Sequence, residues 1–107
     1  MKNEIWVMQT TLPGDWNEAQ VGEWSNNIIS SGLAKCIQRN LVTSVYEWKE
    51  KASSDVEWRV QIKTSEQSLK ELKSSIDADH PYETPQIIYW KAQSTRSFTD
   101  WVEGRTL

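Results

Sequence analysis

Apolar and polar residues alternate without a break from Val56 to Thr64. Val56, Trp58, Val60 and Ile62 fall on one side, and Glu57, Arg59, Gln61 and Lys63 on the other. Successive side chains of a strand point to opposite faces, so this segment predicts a half-buried antiparallel strand. Glu4 to Thr11 is different. Ile5, Trp6, Val7 and Met8 run almost continuously into Thr10 and Thr11, the pattern of a central strand covered on both faces. Leu12-Pro13-Gly14 ends it as a turn.

Two segments switch to helical spacing. In Trp16 to Ser31, Val21, Trp24, Ile28 and Ile29 share one helical face. Asp15, with Glu18 three residues on, predicts a capping box at its start, and Gly32 a left-handed stop at its end. In Glu66 to Ala78, Leu69, Leu72 and Ile76 form the apolar stripe, and Ser65 is the cap.

The remaining elements follow from β-propensity and from breakers. Leu33 to Trp48 carries Cys36, Ile37, Val42, Val45, Tyr46 and Trp48 and predicts a strand, with a bulge or bend at Gln38-Arg39-Asn40 where alternation fails. Lys49 to Asp55 is polar and predicts a hairpin connection. His80-Pro81-Tyr82-Glu83-Thr84-Pro85 cannot lie inside a helix. It leads into a strand over Gln86 to Gln93, and Phe98, Trp101 and Val102 suit a short last helix over Ser97 to Gly104.

The order β-α-β-β-α-β has a standard packing solution. It is an α+β, ferredoxin-like sandwich: a four-stranded antiparallel sheet with both long helices on one face. Two helices leave the other face open, and its aromatics call for cover from partner subunits.

Composition fits this picture. The 107 residues match one domain, 1–107. Apolar residues make up 37% of the chain, which is lean, but there are seven tryptophans. Aromatics bury large areas and are enriched at interfaces. The formal net charge is −3, and no Lys/Arg cluster offers the cationic footprint that nucleic acid or an anionic membrane requires. No apolar run approaches a membrane span, and the N-terminal residues read as strand rather than signal peptide. The single Cys36 forms no internal disulfide, compatible with a reducing compartment. A cytoplasmic protein binding neither nucleic acid nor membrane is the expectation.

Five ordered segments resemble the CutA divalent-cation tolerance family. Thr10-Thr11 precedes the turn and helix. Gly32-Leu33-Ala34-Lys35-Cys36 is similar to the family's Leu-Ala-Ala-Cys segment, and Ser44-Val45-Tyr46-Glu47-Trp48 to its Ser-x-Tyr-x-Trp strand. Glu57 through Ile62-Lys63-Thr64 is similar to its Glu…Lys-Thr strand, and His80-Pro81-Tyr82-Glu83-Thr84-Pro85-Gln86-Ile87 to its His-Pro-Tyr-x-x-Pro-x-Ile signature. A Trp near the C-terminus, Trp101, also matches. The resemblance implies a homotrimer of PII-like architecture, without a settled enzymatic reaction and associated with divalent-metal tolerance, copper especially. In animals it implies a link to acetylcholinesterase assembly. The sequence departs from the family at Lys35, at Gln38-Arg39-Asn40, and at Thr10, where some bacterial members have Cys, a proposed copper ligand.

Candidate site residues form two sets. His80 is the only histidine, and Asp79 and Glu83 flank it. Neutral imidazole is a common ligand of copper and zinc. A weak Cu²⁺ or other divalent-cation site at a subunit boundary is one reading of His80, completed by symmetry copies or carboxylates. A loop histidine that orders the turn through backbone hydrogen bonds is the other. Cys36 is a possible soft ligand, or simply a small buried apolar residue in its strand. The second set is an inter-subunit pocket of Tyr46, Trp48, Glu57, Lys63 and Tyr82, with Glu83 at its edge. Period two puts Tyr46 and Trp48 on one face, and Glu57 and Lys63 together on the next strand. Such a mixture can hold a small polar ligand, or build the trimer through an ion pair and aromatic area. No nucleophile–base grouping, phosphate loop or short metal motif is visible, so a non-enzymatic protein is expected. Its function is metal tolerance or response, small-molecule sensing at inter-subunit clefts, or trimeric scaffolding.

Overall fold

A computed structural model describes residues 2–104; of the 1–107 domain read from sequence, Met1 and residues 105–107 lie outside the described residues. Strand β1 (Glu4–Pro13) is followed by helix α1 (Glu18–Ser30), strands β2 (Cys36–Trp48) and β3 (Lys51–Thr64), helix α2 (Glu66–Ala78), strand β4 (Ile88–Gln93) and helix α3 (Arg96–Val102). The four strands form one antiparallel sheet in the order β2-β3-β1-β4. This is the α+β sandwich expected from the alternation of periods.

Strand pairing assigns side chains to faces. Met8 faces Ile62 across the ladder, and Leu12 faces Trp58. These four residues, with Val60, join Val21, Trp24 and Ile28 of α1 and Leu72 and Ile76 of α2 in one buried cluster. Both long helices therefore cover the same sheet face. Facing pairs of opposite parity, such as Gln9 with Gln61 and Pro13 with Glu57, lie on the open face. Ile5 and Val7 also belong to that parity yet are buried, as is Val102, and α3 contacts β1. The short helix thus covers one end of the open face and leaves Ile88 and Trp90 exposed.

Local signals explain most boundaries. Ser65 caps α2 by accepting the Ser68 amide, and Thr95 caps α3 by accepting the Phe98 amide. Gly32 takes φ +79° directly after α1, as its place at the helix end requires. The start of α1 differs from expectation. Asn17, not Asp15, accepts the Gln20 amide at 2.9 Å, and the Gln20 side chain accepts the Asn17 amide at 2.8 Å. The capping box forms two residues later because Trp16 is held in the preceding turn. Its amide donates to the Pro13 carbonyl, and its carbonyl accepts Trp58 Nε1–H at 2.9 Å.

Strands β2 and β3 also differ. No bulge interrupts Gln38-Arg39-Asn40; they face Gln61, Val60 and Arg59 in unbroken register. The polar stretch after Trp48 is strand as well, and the turn is only Lys49-Glu50, both at positive φ, 51° and 67°. A two-residue turn with both φ positive matches strand twist, so the ladder continues to the tip. Because β1 pairs with β3 only up to Glu57, the ends of β2 and β3 project as a two-stranded arm. The molecule measures 48 × 26 × 22 Å as a result. No helix among the described residues is long and apolar enough to cross a membrane.

Candidate functional site

An open cleft of about 940 Å³ lies where the arm meets the end of β1 and the loop after α2. Three close approaches build it. Gly14 lets the β1–α1 turn lie against β3: a Cβ there would sit 2.1 Å from the Val56 carbonyl oxygen. The arm supplies Tyr46 and Trp48, which period two sets on the open face. Loop 79–87 is drawn to the same place by side-chain hydrogen bonds. The Tyr82 hydroxyl donates to Glu57 at 2.7 Å, and Gln9 donates to Gln86 at 3.0 Å while accepting from Gln61.

Two phenols meet two carboxylates. The Tyr46 hydroxyl donates to Asp55, and the Tyr82 hydroxyl to Glu57. The hydrogen bond to Asp55 pushes Tyr46 above the ordinary phenol value. Desolvation, followed by the Glu57 hydrogen bond, raises Tyr82 further. Both phenols stay protonated at neutral pH and act as donors. Each carboxylate keeps further lone pairs for a ligand.

His80 has a defined tautomer. An amide can only donate, so the 3.0 Å contact from the Tyr82 N–H makes Nδ1 the acceptor. The proton of the neutral ring is then on Nε2, which donates to Thr10 Oγ1 at 2.9 Å. Thr10 is fully buried. Burial lowers the His80 pKa from its ordinary value, against weaker upward pulls from the Thr11 backbone, Asp77 and Glu57. Both ring nitrogens are occupied by the protein's own groups, and the ring packs 5.2 Å from Tyr82.

The structure brings Tyr46, Trp48, Glu57, Tyr82 and Glu83 together in the cleft. It does not bring the others there. Lys63 shares the open face with Glu57 but lies six residues along β3, roughly 20 Å away at strand rise. Its ammonium meets Gln38 instead. Cys36 faces Lys63 at that same distant end and is partly buried. Asp79 ends α2 and lines a separate small hollow between α1 and α2, beside Trp24 and Ser75. Among the described residues, no three His, Cys, Asp or Glu side chains converge into a metal-holding group.

Two cleft carboxylates do not stand out in the sequence as site residues. Asp15 has the spacing of a helix cap, but with Asn17 in that role its carboxylate lines the cleft. Asp55 lies in the polar stretch that predicts a hairpin connection. Its signal is parity: it lies two residues before Glu57, and the tight turn sets Ser44 opposite it and Tyr46 diagonal to it.

Known proteins are similar to this chain in sequence and fold. The model of the family described as CutA1 divalent ion tolerance protein matches residues 6–105. A divalent-cation tolerance protein CutA from Thermotoga maritima is 30% identical over 102 residues, covering 94% of this chain and 98% of its own. A chloroplastic protein CutA from Arabidopsis thaliana is 31% identical over 94% of this chain, which spans 54% of that longer protein. Among solved structures, a PII-like protein CutA from Nostoc in apo form superposes with a TM-score of 0.83. It is 27% identical, and the match covers 95% of this chain and 97% of that one. CutA1 from Ehrlichia chaffeensis also gives 0.83, at 30% identity, covering 95% and 94% of the two chains.

Proposed function

This chain belongs to the CutA1 divalent ion tolerance protein family, and from that premise we propose that it serves divalent-cation tolerance or response as a non-catalytic, cytoplasmic homotrimer whose working site is the cleft at the base of the arm. The arm is the observation that carries the reading. A two-stranded ribbon is barely stable alone in water, yet this one exposes Val56 and, at 77% of its surface, Val45. A neighbouring copy covering these residues gives the arm its stability and walls the cleft between subunits. The single free Cys36 supports the cytoplasmic location.

Divalent-cation contact, copper included, falls to the cleft carboxylates in this reading. His80 spends both nitrogens within the chain, and Thr10 supplies a hydroxyl where a thiolate would be a soft ligand. The carboxylates Glu57 and Glu83 offer hard oxygen donors instead, so binding is weak and depends on the assembled subunits. A small-molecule sensing role is the second reading. It is favoured by the cleft's volume and aromatic walls, which suit an organic ligand better than a bare ion.

Sedimentation and calorimetry test the proposal together. The expected particle has about three times the 12.5 kDa chain mass. Cu²⁺ and Zn²⁺ titrations should show weak saturable binding, reduced by Glu57→Gln more than by His80→Ala. A monomer at micromolar concentration overturns the trimer. Metal binding that His80→Ala alone removes overturns the cleft assignment.

A further inference from the structure

The cleft's lining has a one-sided charge. Among the described residues it contains the carboxylates of Asp15, Asp55, Glu57 and Glu83 and no Lys, Arg or His side chain. None of these carboxylates forms an ion pair among the described residues, whose salt bridges involve Glu18, Glu66 and Asp100. Four negative charges in one concavity exceed the net charge of −3 carried by the whole chain. A concave surface of one sign focuses its field and concentrates counter-charge.

The aromatic rings give a second, independent observation. Elsewhere the chain places its own cations over ring faces: Lys91 over Trp6, Arg39 over Trp58, Lys73 over Tyr89 and Lys35 over Trp101, at 5.4–5.8 Å. Tyr46 and Trp48 carry no such partner among the described residues, although they stand beside the carboxylates and are 40% and 46% exposed. Pro13, which pairs with Glu57 on the open face, adds apolar surface to the lining. A ring face draws a cation through its quadrupole, and draws it more strongly when water is excluded.

We infer that the cleft binds an organic cation, a primary or quaternary amine on an aliphatic stem, with the ammonium at the Asp55 and Glu57 carboxylates beside the Tyr46 ring and the stem running along the arm towards Trp48. This rests on the reading of the cleft as the working site and names the class of ligand it takes. The class follows from complementarity. An anion meets four carboxylates and no donor cation. A neutral ligand leaves the charge uncompensated. A bare divalent ion finds no converging donor set and leaves the aromatic walls unused. Organic and divalent cations contact the same carboxylates, so each displaces the other.

The experiment is calorimetry on the intact protein, its oligomeric state fixed by sedimentation, with four matched probes: 1,4-diaminobutane, choline, 1,4-butanediol and succinate, and with Mg²⁺ as competitor. Saturable binding of at least one of the two amines is expected, and of neither butanediol nor succinate. Trp fluorescence should change with it. Affinity should fall at least tenfold in Asp55→Asn/Glu57→Gln, whose amides still accept the two tyrosine hydroxyls, and also in Trp48→Leu at its exposed site. Mg²⁺ should weaken the amine competitively. Binding of butanediol or succinate in place of the amines overturns the cation assignment and leaves the cleft a ligand site. Amine binding that neither variant weakens puts the ligand elsewhere and overturns it as well. If an intact oligomer binds no organic probe but still binds Cu²⁺ or Zn²⁺ in a way that Glu57→Gln weakens, the inference falls and the working-site reading stands; if it binds neither, both fall.

Discussion

The Tyr82 hydroxyl donates a 2.7 Å hydrogen bond to Glu57, joining the loop after α2 to the open face of the sheet. The same residue's amide donates to His80 Nδ1. One tyrosine thus ties the loop at both its backbone and its tip. Tyr82→Phe should cost about 1.5 kcal/mol, the low end for a hydrogen bond to a charged group at a partly exposed site. It should also free Glu57 for ligand or metal. Chemical unfolding of the variant against the parent checks the first effect, and calorimetric affinity the second. Unchanged stability would mean that water replaces the bond without loss.

Acid should loosen the same loop. Burial holds the His80 pKa below its ordinary 6.5 in the fold. A depressed value means that the folded state prefers the neutral ring, so this contribution to stability is full above pH 6.5. It is lost as pH falls through the folded value. Protonation also turns Nδ1 from acceptor to donor, facing the Tyr82 N–H. The melting temperature should therefore drop between pH 7 and 5 more steeply in the parent than in His80→Gln. Parallel profiles would remove His80 from the acid response.

Two glycines should respond in opposite directions to alanine. A Cβ at Gly14 would meet the Val56 carbonyl oxygen at 2.1 Å, and neither partner is a flexible side chain. Gly14→Ala should lose about 1–3 kcal/mol, the range for forced overpacking, and distort the cleft. At Gly22, inside α1, nothing lies within 4 Å of an added Cβ. Gly22→Ala should gain about 0.5–1 kcal/mol from helix propensity. Thermal melts of the two variants decide the matter; a harmless Gly14→Ala would show that the turn does not need its close approach to β3.

The arm's tip is strained. Lys49 and Glu50 hold positive φ without being glycine or asparagine. Lys49→Asn/Glu50→Gly supplies the residues that such a turn favours and should raise stability by about 1–2 kcal/mol, from the cost of left-handed backbone in ordinary L-residues. Denaturant midpoints measure it, with sedimentation confirming an unchanged oligomer. A loss would mean that neighbouring contacts, not turn geometry, set the tip.

Much of this molecule was legible along the chain. Trp58, Val60 and Ile62 alternate because only one face of their strand meets the helices, and Leu72 and Ile76 recur because one helical face meets the sheet. Ser65 and Gly32 mark helix ends by chemistry that acts within a few residues. The errors occur where a distant partner overrides a local signal. Asp15 lost its capping role to Asn17 because Trp58 holds the Trp16 carbonyl. Lys51–Ser54 look polar and loop-like, yet pair as strand because β2 lies alongside.

The candidate site divides in the same way. Tyr46, Trp48, Glu57, Tyr82 and Glu83 were visible as a group because period two and the family's segments already associate them. Lys63 shares their face, but parity is blind to the distance along a strand. The element order, the two periods and the caps were set by the sequence itself, since they depend on neighbours within a turn or a pleat. Tertiary structure alone decided which carboxylates gather at the arm and that His80 spends both nitrogens on Thr10 and Tyr82. It likewise decided that, among the described residues, no cation stands against Trp48. Each of these relations joins residues from separate elements, and the chain's local geometry carries no information about a contact until the fold has closed it.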